Sequence, residues 1–189
     1  MSLTGNLSLA GKTRIAAAVA LGTVVAGGAT AAFASTAART PAGGTIHVYV
    51  STGGRSSTVA PILVAGAIGD YGRAISIDKN GTVDAKGTYV KVVLRKGTFE
   101  VNATPFDTNL ARVVPSFDKA TCSEYLSGSG QATLYKGTGL YAGVGGRAHL
   151  TETVAAITSR RADGTCDTRR SAQPVSEYSF ITGTGTVTF

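Results

Sequence analysis

The run Gly69-Asp70-Tyr71-Gly72-Arg73 places a carboxylate, a phenol and a guanidinium side by side between glycines. A carboxylate and a phenol held at the mouth of a cavity can exchange a proton with a ligand carbonyl or hydroxyl, the acid–base work of a cyclisation. The ordinary reading of the same residues is favoured: Asp70 caps the turn, Arg73 pairs with it and Tyr71 packs. No catalytic residue is assigned on this ground, and Asp70 and Tyr71 stand as the candidates.

Other constellations carry less. His149 and Glu152 could form a base and its partner, but three positions apart on a strand they fall on opposite faces, and an outward polar histidine is the simpler reading. Arg160, Arg161, Arg169 and Arg170 flank a short segment around Cys166 and form a candidate anion-binding site. Anionic cell-wall material, a headgroup or nucleic acid would be attracted there. Asp163 and Asp167 dilute that charge, so a solvated loop is preferred to a binding patch, and no specific nucleic-acid recognition is expected. Gly137-Thr138-Gly139 followed by Gly143 has the wrong spacing for a dinucleotide loop and leads into strand-like sequence. A phosphate-binding loop and a serine-hydrolase elbow are also missing, and no cofactor is implied.

The two cysteines, Cys122 and Cys166, are not in a C-x-x-C. Outside the cytoplasm such a pair is expected as a disulfide. His47 and His149 lack the close spacing of a zinc site, so no metal is expected.

Export is the context that the N-terminus supplies. Lys12 and Arg14 precede an apolar run from Ile15 to Val25, and small residues end in Ala32-Phe33-Ala34. That order is a secretory signal peptide over residues 1–34, cleaved after Ala34. Its apolar run is well short of the roughly 20 residues that a spanning helix needs, so no transmembrane segment is expected after cleavage. Of the 189 residues, 155 then remain, and losing Lys12 and Arg14 lowers the formal charge by two, from +7 to +5. This is mild, and the secreted location bounds function more than the charge does. Residues 35–44 are small, polar and Pro/Gly-containing, as in a flexible linker, and 45–189 form one domain.

The elements that must position these residues are strands. Ile46, Val48 and Val50 share one face of a run whose other face holds His47 and Tyr49. Val90, Val92 and Leu94 alternate with Lys91 in the same way. Period two marks half-buried strands. Asn80-Gly81 and the Lys-Gly-Thr triplets at 86–88, 96–98 and 136–138 supply turns. Strands are predicted over 45–51, 59–68, 73–78, 88–95, 98–103, 123–127, 130–135, 146–158 and 176–189, with one helical turn or a loop over 108–114. The fold class is all-β, a closed antiparallel barrel of about eight strands, with a β-sandwich as the alternative. A terminal strand ending Val187-Thr188-Phe189 suits pairing with the first to complete a barrel.

The segment from Ser127 to Gly146 resembles the central signature of the allene oxide cyclase and dirigent-like barrel superfamily. In that signature a strand enters G-T-G-x-Y/F-x-G-x-x-G, here Gly137 to Gly146, and a long strand follows. Glycines there allow a tight corner, and Tyr141 would plug the barrel end. Gly69-Asp70-Tyr71-Gly72 and Asp78-Lys79-Asn80-Gly81 also resemble bacterial secreted relatives of that group without an assigned function. Plant dirigent proteins carry an acidic residue just before the corner, where this chain has Leu134-Tyr135-Lys136, so no catalytic residue is carried over. The resemblance implies an eight-stranded barrel with an apolar pocket rather than cyclase activity.

Taken together, the residues favour a non-enzymatic exported barrel that binds a small apolar ligand or acts at the cell surface. The rival is a dirigent-like or cyclase-type enzyme that steers a reactive intermediate, with Asp70 and Tyr71 as its acid–base groups.

Overall fold

The computed structural model describes residues 42–52, 57–169 and 172–189. The expected signal peptide, most of the expected linker and Arg170 lie outside them. Period-two patterning produces the strands β1 (Gly44–Thr52), β2 (Val59–Gly66), β3 (Asp70–Ile77), β4 (Tyr89–Leu94), β5 (Gly97–Asn102), β7 (Ser123–Tyr135), β8 (Gly145–Thr158) and β9 (Pro174–Thr188), and a short β6 (Ser116–Asp118) that the sequence reading does not expect. Neighbours pair antiparallel in the order β5-β4-β3-β2-β1-β9-β8-β7, and β5 also pairs with β7. That last pairing closes an eight-stranded barrel, while the three-residue β6 pairs with the start of β7 outside the ring. The sandwich alternative is thereby excluded. The first and last strands pair from Gly44↔Val187 to Thr52↔Ser179, as the apolar C-terminus suggested.

Register carries one row inward from each strand of the ring, apolar for most of its length. Ile46 sits opposite Gly66 and Gly185, Val92 opposite Ala74 and Phe99, and Ala148 opposite Ala132 and Gly185. Ile46, Val64, Val92, Leu134 and Val187 are buried in one cluster. Each aliphatic side chain taken out of water in this way stabilises the fold by about 1.5–3 kcal/mol.

One end of the barrel is closed by the glycine corner. A short 3-10 turn, Gly139–Tyr141, drives the Tyr141 ring inward, where it is fully buried and meets Phe99 edge-on at 6.0 Å between centroids. Gly137 makes this possible, since a Cβ there would lie 1.7 Å from the Tyr141 carbonyl oxygen.

At the other end the structure departs from the sequence reading. Helix α1 spans Thr104–Leu110 rather than 108–114, with Pro105 in its first turn, where the missing N–H costs nothing. The two strands expected over 123–127 and 130–135 are the single strand β7. Its glycines do not break the strand, because Gly128 and Gly130 stay in register with Glu152 and Leu150 of β8. They make room for the helix instead: a Cβ on Gly130 would lie 2.6 Å from the Phe106 Cα. α1 therefore lies against the inward face of β7, with Phe106 buried.

The expected crosslink is present between Cys122 and Cys166. It joins the start of β7 to the loop between β8 and β9, where the Thr158 N–H also donates to the Cys122 carbonyl. Among the described residues no helix is long and apolar enough to cross a membrane.

Candidate functional site

The barrel interior is hollow. Because the inward positions at mid-height hold Ala132 and Ala148, the rows do not meet across the axis, and a cavity of about 210 Å³ remains. Its walls are aliphatic and aromatic, carried by Val48, Val64, Val92, Leu134 and Leu150 with Phe99 and Phe106. Among the described residues, polar side chains enter it at three positions, Ser76, Asp107 and Glu152. All three belong to the α1 end: Ser76 pairs with Val90 late in β3, Glu152 pairs with Ile181, and Asp107 is on the helix.

Strand alternation explains Glu152. Ala148 and Leu150 line the cavity, and Glu152 continues their row. One carboxylate oxygen accepts a hydrogen bond from Ser179 Oγ at 2.8 Å. Asp107 is placed by α1, whose Asp107 N–H donates to the Ala103 carbonyl at 2.9 Å. Its carboxyl is half-buried, and no hydrogen bond holds its pKa down. Burial, followed by the nearby Glu152 charge, pushes the Asp107 carboxyl up to about 6.

Two facing carboxylates in an apolar chamber make an acceptor-rich, electronegative end to an otherwise greasy pocket. This arrangement costs stability. Asp107 holds its proton more tightly in the fold than in the unfolded chain, so the fold loses stability as pH rises from about 4 through 6. Asp107→Asn is therefore expected to stabilise the protein by about 1–3 kcal/mol at pH 7.5 and to change little at pH 4, read from urea unfolding at both values.

The sequence candidates are distributed elsewhere. Asp70 is buried at the opposite, Tyr141 end and does not line the cavity. Its carboxylate accepts hydrogen bonds from the Tyr141 hydroxyl at 2.7 Å, the Tyr71 N–H at 2.9 Å, the Lys96 N–H at 3.0 Å and Arg95 Nε at 3.3 Å. Burial raises its pKa, but these donors together outweigh burial and hold the carboxyl below its ordinary value. Burial first, and then the bond to Asp70, pushes the Tyr141 phenol well above its ordinary range. Asp70 thus ties the β4–β5 turn to the corner at Tyr141. Its guanidinium partner is Arg95 rather than Arg73, because Arg73 faces outward from β3 and is exposed.

Tyr71, the next residue along the strand, points outward and is 53% exposed, with the Arg95 guanidinium 4.6 Å above its ring. The structure therefore does not bring Asp70 and Tyr71 together at a cavity. His149 faces outward near Gln131, on the opposite side of β8 from Glu152.

The described arginines of the loop, Arg160, Arg161 and Arg169, are all partnered. Arg161 and Arg169 both contact the Asp167 carboxylate, which the hydrogen bond from Arg169 above all holds far below the usual range. Arg160 donates to the carbonyls of Gly164 and Ala120.

Asp107 and Glu152 are the site residues that sequence reasoning passed over. For Glu152 the signal was available: with Arg147, His149 and Thr151 outward, it is a charge in the inward row. For Asp107 no local pattern separates it from an ordinary first-turn acid. Comparison of the chain with family models, curated proteins and solved structures gives no match.

Proposed function

We propose that this barrel is a non-enzymatic binding protein that takes a small, largely apolar molecule into its interior. The reading rests on one observation, the 210 Å³ chamber with apolar walls in an otherwise closed barrel. A chamber of that kind excludes water poorly matched to its walls and gains from any apolar guest of the right size. The disulfide supports work outside the cytoplasm, where such bonds persist, and with the signal-like N-terminus it favours a secreted or cell-surface role.

Calorimetric titration with 1-heptanol, a neutral probe, tests the reading. Binding with a negative heat-capacity change is expected. Ala132→Leu, which adds bulk to the inward wall, should weaken it at least tenfold, and Ala148→Val serves if that variant does not fold. An undetectable heat together with an unshifted melting temperature would overturn the proposal.

A further inference from the structure

We infer that the guest is a small amphiphilic amine whose apolar body fills the chamber and whose ammonium head is held by Asp107 and Glu152. The inference rests on the cavity reading above and adds the chemical class of the ligand.

Size comes first. An apolar cavity of about 150 Å³ holds benzene, so one of about 210 Å³ suits a guest of roughly eight to ten non-hydrogen atoms.

Polarity comes second, and it is one-sided. Among the described residues no lysine, arginine, histidine, asparagine or glutamine lines the chamber, and its polar groups converge at the α1 end. A carboxylate guest would bring a third negative charge to that end. A neutral alcohol would leave two acids facing each other without a counter-charge. A primary ammonium offers three donors, enough to reach both acids in charge-assisted bonds. A divalent metal is a poorer fit, since hard cations ask for six or more oxygen ligands and two carboxylates in an apolar wall do not supply them.

Among the described residues the neighbourhood of Asp107 holds no competing cation. From β8 it faces Glu152, from β9 the Ser179 hydroxyl already given to Glu152, and from β3 Ser76. β7 contributes the side-chain-free Gly128 and Gly130. On α1, Asn109 turns to the Ser129 carbonyl, 3.5 Å away. Lys86, beside the lining residue Gly87, and Arg112, beyond the helix, are exposed. An ammonium guest would therefore be the counter-charge that the site otherwise lacks. The raised Asp107 carboxyl agrees with this and makes loading pH-dependent, because a protonated Asp107 offers the cation one charge fewer.

Three probes of one chain length separate the possibilities: heptylamine, 1-heptanol and heptanoate, each titrated into the protein at pH 7.5 and pH 5. Heptylamine is expected to bind at least tenfold more tightly than heptanol at pH 7.5, and to weaken about tenfold at pH 5 as Asp107 takes up its proton. Heptanol should change less than twofold, and heptanoate should not bind at pH 7.5. Asp107→Asn should abolish the pH dependence and cut the preference for the amine, and Glu152→Gln should cut that preference as well. If heptanol binds and heptylamine binds no better, or if Asp107→Asn keeps the full preference and its pH dependence, the amine inference is overturned while the cavity reading stands. If none of the three binds, both fall.

Discussion

Asp70→Ala is expected to lower stability by about 3–5 kcal/mol, the range for breaking a buried polar network, with the m-value of urea unfolding unchanged. The side chain is fully buried and its two oxygens accept from one hydroxyl, two backbone amides and a guanidinium. Removing them strands the buried Tyr141 hydroxyl inside the barrel end, where a group left unpaired costs about 1–3 kcal/mol, and also takes the partner of the Lys96 amide. Asp70→Asn keeps the shape and one acceptor, so its loss should be smaller. The pH dependence is opposite in sign to that of Asp107. A carboxyl held below its ordinary value in the fold adds stability above about pH 4, and that stability is lost as pH falls through the lowered value. Wild type should therefore lose more of its stability than Asp70→Asn between pH 5 and pH 2.

Removing the crosslink through Cys122→Ala with Cys166→Ala has the next largest expected effect. The residues are 44 apart in sequence, and in the chain-entropy treatment releasing such a loop costs about 4 kcal/mol, less any strain relieved. The loss should appear as a lower urea midpoint. Neither cysteine, nor any described residue of β6 or of the arginine loop, lines the cavity. The folded fraction of the double variant should accordingly bind 1-heptanol as wild type does. A large fall in affinity at full folding would place the ligand elsewhere.

Period two made most of the barrel legible in the sequence. The alternation in Ile46–Val50 and Val90–Leu94 gave both the strands and their inward faces, and the pairing of β1 with β9 follows from an apolar C-terminal strand. The Ser127–Gly130 region misled because glycine in a strand marks either a break or a close neighbour, and the choice depends on a helix 20 residues away in sequence. The same contact concealed Asp107, whose approach to Glu152 exists only once α1 lies on β7. Asp70 drew attention correctly as an unusual residue. Its partners, Arg95 and Tyr141, come from distant turns, so local sequence could not separate a structural tie from a catalytic acid.

The central claim is that the interior of this barrel is a binding chamber, and methyl-resolved NMR during a 1-heptanol titration tests it most directly. Shifts should concentrate on the inward methyls of Val48, Val64, Val92, Leu134 and Leu150, saturating together, while those of the exposed Val59, Val114 and Val175 stay still. Shifts confined to the exposed valines, or none at saturating heptanol, would contradict it.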